Sequence, residues 1–407
     1  MESNKVTKPK RITVLGNFSG RNAGDNAILG NLLEDFSRVY PDIEFIVPTL
    51  NAGFVRAAFG QYRIRALGMM PWNGALKIFG LPTLRAMLAT DLVLITDNIL
   101  FDRAFFNPAF NYLSTISMIA PLCRRRNIPL VLYNASVGPI TSRRGERALQ
   151  KVLDAGPVGI LRDTISREHM LELGLRCPEF IEGADCALNT TVPDEKHIDS
   201  IMDRLFPQRS PRKIIGLNIN AYLSSWQGGK AKGAASDFTS IVANAVNRLR
   251  AESDADLMIF VTQVMDHGIT DELRKKLQGG DQIPVVANPE FSYNEIAGLL
   301  SRVDMLIGMR THAQILAVSV GTPVVNINSY PKTLAFLKTI GMGRWSIDVG
   351  DLSDSSFYEL TREAWQCRSE TREKLIPEVQ REREKARSAV EVVGRILNGA
   401  QVRAASG

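Results

Sequence analysis

Short apolar runs of strand length alternate with longer segments of helical periodicity along most of the chain. The first run, residues 11–16, leads into a helical pattern over 26–39. Strand-like runs follow at 43–47, 92–96, 130–134 and 159–161, with helical segments at 112–122 and 145–153 among them. Strands that alternate with helices predict a parallel sheet covered on both faces, because each crossover lays a helix over the sheet. The rhythm pauses near 190–213, where Pro193, Pro207 and Pro211 fall among mixed charges, and restarts at Ile214-Ile215-Gly216-Leu217. A second series then has strands at 257–261, 283–286, 305–307 and 324–327, with helices at 238–250, 271–277, 294–301, 311–319 and after Pro331. The predicted fold class is α/β, with two Rossmann-like domains and a substrate cleft between them. The expected organisation is a domain over 1–190, a linker over 191–213, a second domain over 214–345 and a helical tail over 346–407 packing across the boundary.

One stretch resists this pattern. Residues 53–89 are irregular and rich in Phe54, Phe59, Tyr62, Met69, Met70, Trp72 and Phe79. That composition suits either loop-covered core or an apolar surface for an acceptor or a membrane.

At 407 residues, with 45% hydrophobic and 23% charged positions, the chain can bury two sizeable cores and lacks the signature of disorder. A net charge of +6 fits an anionic substrate or an anionic membrane face, and nucleic acid is not an expected partner. The densest basic run, Arg124-Arg125-Arg126, falls at a helix end, where cations suit the macrodipole and are solvated. The cysteines Cys123, Cys177, Cys186 and Cys367 have neither zinc-site nor redox spacing and read as idle thiols. The polar start, Met1 to Lys5, is unlike an export signal, and no segment approaches the roughly 20 apolar residues of a membrane span. The expected location is cytoplasmic, with peripheral contact at the inner face of the membrane.

Two strand-to-helix junctions carry candidate chemistry. The first reads Gly16-Asn17-Phe18-Ser19-Gly20-Arg21-Asn22-Ala23-Gly24-Asp25-Asn26, a glycine-rich turn that offers backbone N–H groups to a phosphate or carboxylate. It matches neither the dinucleotide fingerprint nor the P-loop. Asp25 suits a helix cap and a general base equally. The second junction is Gly308-Met309-Arg310-Thr311-His312, which sets a planar cation and a proton carrier at a strand end where open α/β sheets bind ligands. Lys332, after the strand at 324–327, either completes an anion site or is a solvated helix-start lysine. Asp266 and His267 follow another strand end, and His267 is a second candidate proton carrier.

Together with Ser136-Val137-Gly138-Pro139-Ile140, Leu161-Arg162-Asp163 with Ser166, and Gly183-Ala184-Asp185, these elements resemble the polysaccharide pyruvyl transferases in family order. The most specific part is Arg310 and His312 followed by a small-residue helix and Gly321-Thr322-Pro323-Val324-Val325. The resemblance implies a GT-B-like fold and transfer of a pyruvyl group from phosphoenolpyruvate to a sugar or lipid-linked oligosaccharide, closing a ketal. Carried over, Arg310 and His312 contact the donor, helped by Lys332 or Arg162, with Asn17 and Gly24 also binding substrate and Asp25 or His267 moving protons. No cofactor is implied beyond the donor substrate, and no residue cluster has metal-ligand spacing.

Two other readings stay open. A nucleotide-sugar glycosyltransferase would share the architecture, but residues 326–340 lack the carboxylate such enzymes use to hold a ribose. A noncatalytic sugar-binding relative is motivated by Thr96-Asp97-Asn98, which stands where the family has a glycine-rich turn.

Overall fold

The computed structural model describes residues 10–69, 76–103, 105, 111–177, 179–207, 212–221 and 235–399. The polar start at Met1 to Lys5, Met70, Trp72 and Pro211 therefore lie outside the described residues, as does the side chain of Phe79. The chain forms two units. One comprises the chain up to Gly20, Ile28–Cys186 and the chain from Glu384 on; the other comprises Arg21–Ala27 and Ala187–Arg383.

The first unit is built on β1 (Arg11–Leu15), β2 (Glu44–Thr49), β3 (Ile64–Gly68), β4 (Leu92–Ile95), β5 (Leu130–Ala135), β6 (Gly159–Leu161) and β7 (Phe180–Glu182). They form one parallel sheet in the order β3-β2-β1-β4-β5-β6-β7. Central β4 and β5 are buried at every position, which is why they read as unbroken apolar runs. The helices are α1 (Ala23–Val39), α2 (Ala52–Phe59), α3 (Leu76–Leu88), α4 (Tyr112–Arg125), α5 (Arg143–Leu153) and α6 (Thr164–Glu172). Helix α5 buries Ala148, Leu149, Val152 and Leu153 on one face and exposes Arg143, Arg144, Arg147 and Lys151 on the other.

The irregular stretch at 53–89 contains regular structure: most of α2, all of β3 and α3. Strand β3 escaped the sequence reading because it is a half-exposed edge strand with Arg65 inside it, so it has no apolar run to announce it. The Phe18 that interrupts the glycine-rich turn is buried, with its ring against Gly16, where an added Cβ would stand 2.2 Å from Phe18 Cζ.

The second unit opens with α7 (Glu195–Leu205), inside the stretch expected as a linker. Asp194 caps this helix by accepting from His197 N at 3.0 Å, and Ile198, Ile201 and Met202 are buried. The prolines around it delimit a helix and do not mark a bare connection. Strands β8 (Ile214–Asn218), β9 (Asp256–Val261), β10 (Val285–Ala287), β11 (Met305–Gly308), β12 (Val324–Asn328) and β13 (Ser346–Asp348) form a parallel sheet in the order β10-β9-β8-β11-β12-β13. The helices between them are α8 (Ala235–Ser253), α9 (His267–Lys276), α10 (Tyr293–Leu300), α11 (Thr311–Ser319) and α12 (Pro331–Thr339).

The expected tail is only partly helical, since β13 extends the sheet before α13 (Asp354–Gln366) and α14 (Arg368–Leu397). Helix α14 contributes to both units. Arg383 donates to Leu188 O at 2.7 Å and Ser319 O at 2.6 Å in the second, and Ala386 O accepts from Asn134 Nδ2 at 2.9 Å in the first. Among the described residues, no helix is long and apolar enough to cross a membrane.

Candidate active site

The order of the second sheet reverses between β8 and β11, and open α/β sheets bind ligands beyond the carboxyl ends of strands at such a switch point. Asn218, fully buried at the end of β8, ties this point together. Its Oδ1 accepts from Arg310 N at 3.0 Å, and its Nδ2 donates to Phe260 O on β9 at 2.9 Å.

The residues that begin α9 and α11 are paired to each other. Asp266 precedes α9 and Arg310 precedes α11; Arg310 Nε and Nη2 donate to the two Asp266 carboxylate oxygens at 2.7 Å each. Asp266 is fully buried and also accepts from Ala221 N at 3.0 Å. A bidentate pair of this kind fixes both partners in orientation. With their side chains turned on one another, neither caps its own helix, and α12 after Tyr330 also starts without a side-chain cap. Helices α11 and α12 are joined at their first turns by a Thr311–Thr333 hydroxyl contact. Helices α11 and α12 thus begin at one sheet edge behind residues that make no side-chain cap, and helix starts of this kind favour anions.

The start of α1 is also brought to this edge. Arg21–Ala27 groups with the second unit although the sequence places it with the first. Ala23 N donates to Thr262 O at 2.9 Å, Val264 N donates to Arg21 O at 3.1 Å, and Asn22 bridges to Gln263. Asn22 also caps α1, its Oδ1 accepting from Gly24 N at 3.0 Å. The capping role weighed for Asp25 thus falls to Asn22; Asp25 lies in the first turn, buried, accepting from Asn22 Nδ2 at 2.8 Å. Gly24 packs against His312 so closely that an added Cβ would stand 2.2 Å from the ring's Cγ. Only a glycine permits this approach without displacing the imidazole.

The first unit gathers its motifs into a different cluster. Arg162 donates to Asp185 at 2.6 Å, Ser136 at 2.9 Å and Asp97 at 3.4 Å. Ser136 in turn donates to Asp163, which caps α6 by accepting from Ser166 N at 2.7 Å. Ser166 Oγ accepts from Val137 N at 2.8 Å, and His169 Nε2 accepts from Ile140 N at 3.0 Å. Asp97 holds a left-handed φ of 57°, the conformation a glycine adopts freely.

A family model for polysaccharide pyruvyl transferase matches residues 22–329. The chain belongs to the polysaccharide pyruvyl transferase family. A curated relative, the amylovoran biosynthesis protein AmsJ of Erwinia amylovora, is 25% identical over 247 residues, and the match spans 56% of each chain. Among solved structures, the UDP-GlcNAc 2-epimerase of Neisseria meningitidis, bound to UDP-GlcNAc, superposes with a TM-score of 0.64 at 11% identity, covering 96% of this chain and 100% of that one. The S. aureus MnaA–UDP structure gives 0.65 at 14% identity, covering 97% and 99%. At such identities the likeness shows the fold alone, two parallel-sheet α/β domains of GT-B-like class, as expected.

Within this pyruvyl transferase family member, Arg310, His312, Gly24, Asp25 and Lys332 all fall in the second unit. Lys332 is buried in the first turn of α12, so the solvated-lysine alternative does not hold. One edge of the Arg310 guanidinium is committed to Asp266 and not available as a fork for substrate. Arg162 and Asn17 belong to the first unit, and Arg162 is engaged by Asp185 and Asp97 rather than grouped with Arg310. His267 is exposed at the start of α9. Asn218, Asn22 and Gln263 were not singled out from the sequence; for Asn218 the signal was a polar residue closing the apolar run 214–217. Burial pushes the Cys123 thiol up to about 11 and raises the Cys177 and Cys186 thiols too, which disfavours the thiolate at these three positions.

Proposed function

We propose that this protein transfers the pyruvyl group of phosphoenolpyruvate to a sugar of a polysaccharide or of its lipid-linked precursor, closing a ketal over two hydroxyls. The observation that carries this reading is the pair of helix starts without a side-chain cap, α11 at Arg310 and His312 and α12 at Lys332, because the donor bears both a carboxylate and a phosphate. Membership of the family supplies the donor's identity, and the relative's name supports a polysaccharide product.

The reaction needs a proton delivered to the methylene carbon, a proton taken from each of two hydroxyls, and the departure of phosphate. His312 would protonate the methylene carbon while a sugar hydroxyl adds to the neighbouring carbon and gives its proton to Asp25. A second hydroxyl would then form the other C–O bond as the C–O bond to phosphate breaks, its proton returning to the neutral imidazole of His312 while the proton on Asp25 passes to the departing phosphate. The products are the ketal, whose former methylene is a methyl group, and inorganic phosphate. Lys332 and the helix starts would hold the leaving phosphate, and Arg310, oriented by Asp266, would bear on the carboxylate. The Arg162 cluster, with Asp97 and Asp185 on the guanidinium and Asp163 beyond Ser136, suits a neutral hydroxyl-bearing ligand better than an anion. The reading includes no cofactor or metal and sets the reaction in the cytoplasm, where phosphoenolpyruvate is available.

The test measures which ligand stabilises the protein and then what it makes. Phosphoenolpyruvate should raise the melting temperature and a UDP-sugar should not, since only a ligand of the native state stabilises it. With a panel of free and lipid-linked glycosides, mass spectrometry should find the pyruvyl adduct with phosphate released, unaffected by a chelator. Arg310→Lys should weaken stabilisation by the donor because the fork held by Asp266 is lost. Glycosyl transfer from the nucleotide sugar would replace this reading with the glycosyltransferase one, and sugar binding without turnover would favour the noncatalytic one.

A further inference from the structure

Helices α4 and α5 pack side by side in the first unit and carry a surface that the proposed reaction does not use. Between them lies an open groove of about 400 Å³ lined by Pro121, Arg124 and Arg125 of α4 and by Lys151 and Asp154 at the end of α5. Arg143, Arg147 and Lys151 recur at four-residue intervals and so share one exposed face of α5, beside Arg144. On α4, Met118 is 57% exposed and Leu122 39%, one turn apart, while Ile116, Ile119, Ala120 and Cys123 are buried beneath them. The carboxylates here are the half-buried Glu146 and the exposed Asp154, which accepts from Gln150 Nε2 at 2.7 Å. Cations therefore outnumber them, and Met118 and Leu122 add exposed apolar surface on α4.

We infer that this α4–α5 face docks on an anionic phospholipid bilayer. Two amphipathic helices whose outer surface mixes arginine and lysine with exposed Met and Leu match the chemistry of an interface: the cations meet lipid phosphates and the apolar side chains enter the acyl boundary. Arg and Lys stems add apolar contact below their charged heads. A nucleic acid would use the cations but gain nothing from Met118 and Leu122. The Arg124-Arg125-Arg126 run, which reads from sequence as solvated helix-end charge, thus becomes part of a two-helix basic surface. Docking would hold the enzyme where a lipid-linked acceptor is presented, yet it is measured without turnover and stands or falls independently of the pyruvyl reading.

The experiment is cosedimentation of the full chain with vesicles of phosphatidylcholine alone or mixed with phosphatidylglycerol. The protein should bind the mixed vesicles, and salt should weaken that binding. Reversing Arg124→Glu, Arg125→Glu, Arg147→Glu and Lys151→Glu together should lower the partition coefficient on the order of 100- to 1,000-fold with the melting temperature kept. Met118→Ser with Leu122→Ser should reduce the binding that survives high salt. Should the charge-reversed protein fail to fold, hydrogen exchange on the unaltered protein decides: vesicle-induced protection of α4 and α5 supports the inference, and protection confined to other elements overturns it. Equal binding to both vesicle types would overturn it, as would unchanged binding by the folded variants. So would a preference for a single-stranded oligonucleotide over vesicles that disappears in the charge-reversed variant.

Discussion

The two units place an arginine at a carboxyl strand end and hold it with a buried aspartate, yet the surroundings differ. In the first, Arg162 meets Asp185 and Asp97, and the following helices are capped: α5 by Ser142, α6 by Asp163. In the second, Arg310 and Asp266 bind each other, and α11 starts without a side-chain cap from Arg310. The first arrangement sets side-chain caps on its helix starts; the second sets none on α11 and α12, and a helix start without one favours an anion. A strand-end ion pair is thus not a site in itself. What it does to the neighbouring helix starts decides whether it can receive an anion.

The largest effect should come from breaking the second pair. Asp266→Ala would leave the Arg310 guanidinium partly buried without its carboxylate, and removing one partner of a buried pair costs about 3–5 kcal/mol. Ala221 N would lose its acceptor as well. Urea denaturation should show a drop of that size. A loss below roughly 1 kcal/mol, the scale of an exposed ion pair, would mean that the clamp does not organise this edge.

The histidines sharpen the same contrast. His169 in the first unit accepts a backbone hydrogen bond, whereas His312 in the second lies on Gly24 at an uncapped helix start. His169→Ala should therefore cost about 1–3 kcal/mol of stability through the stranded Ile140 N–H and change turnover little. His312→Ala should keep the melting temperature close to that of the unaltered protein while lowering ketal formation about 10²- to 10⁴-fold. If the two substitutions traded effects, His312 would be the structural residue and the proton carrier would have to be sought elsewhere.

The sequence made the central strands legible because strands buried on both faces read as apolar runs. It missed β3 and β7, which lie at or next to the unit's edges and carry Arg65 and Glu182, and it missed α7 because prolines on either side looked like a linker. Arg310, His312, Lys332 and Asp25 were legible as polar residues at strand-to-helix junctions. That Asp266 pairs with Arg310 was not, because 44 residues separate them and only the adjacency of their strand ends brings them together. Nor was the grouping of Asn22 and Gly24 with the second unit, since it depends on backbone contacts to Thr262 and Gln263 rather than on residue type.

The smallest predicted effect concerns Asp97, in the turn that follows β4. Its φ of 57° carries strain for a side chain, and its carboxylate returns only a 3.4 Å contact with Arg162. Asp97→Gly removes the strain and that contact together, so stability should change by less than about 1 kcal/mol. Asp97→Ala loses the contact but keeps a left-handed backbone, and should be less stable than the glycine variant by about 1 kcal/mol. Urea midpoints with matching slopes measure the difference. Ser136 N donates to the backbone oxygen of Asp97 at 2.9 Å, so both variants retain the bond that links this turn to β5. Equal losses in the two variants would show that the carboxylate holds the turn and that the position is not a glycine position in disguise. Since α5 and α6 keep their caps in both, neither variant should make the first unit's strand-end cluster a second anion site. Thermal stabilisation by phosphoenolpyruvate should match that of the unaltered protein, and an added increment in the glycine variant would break the distinction between the two clusters.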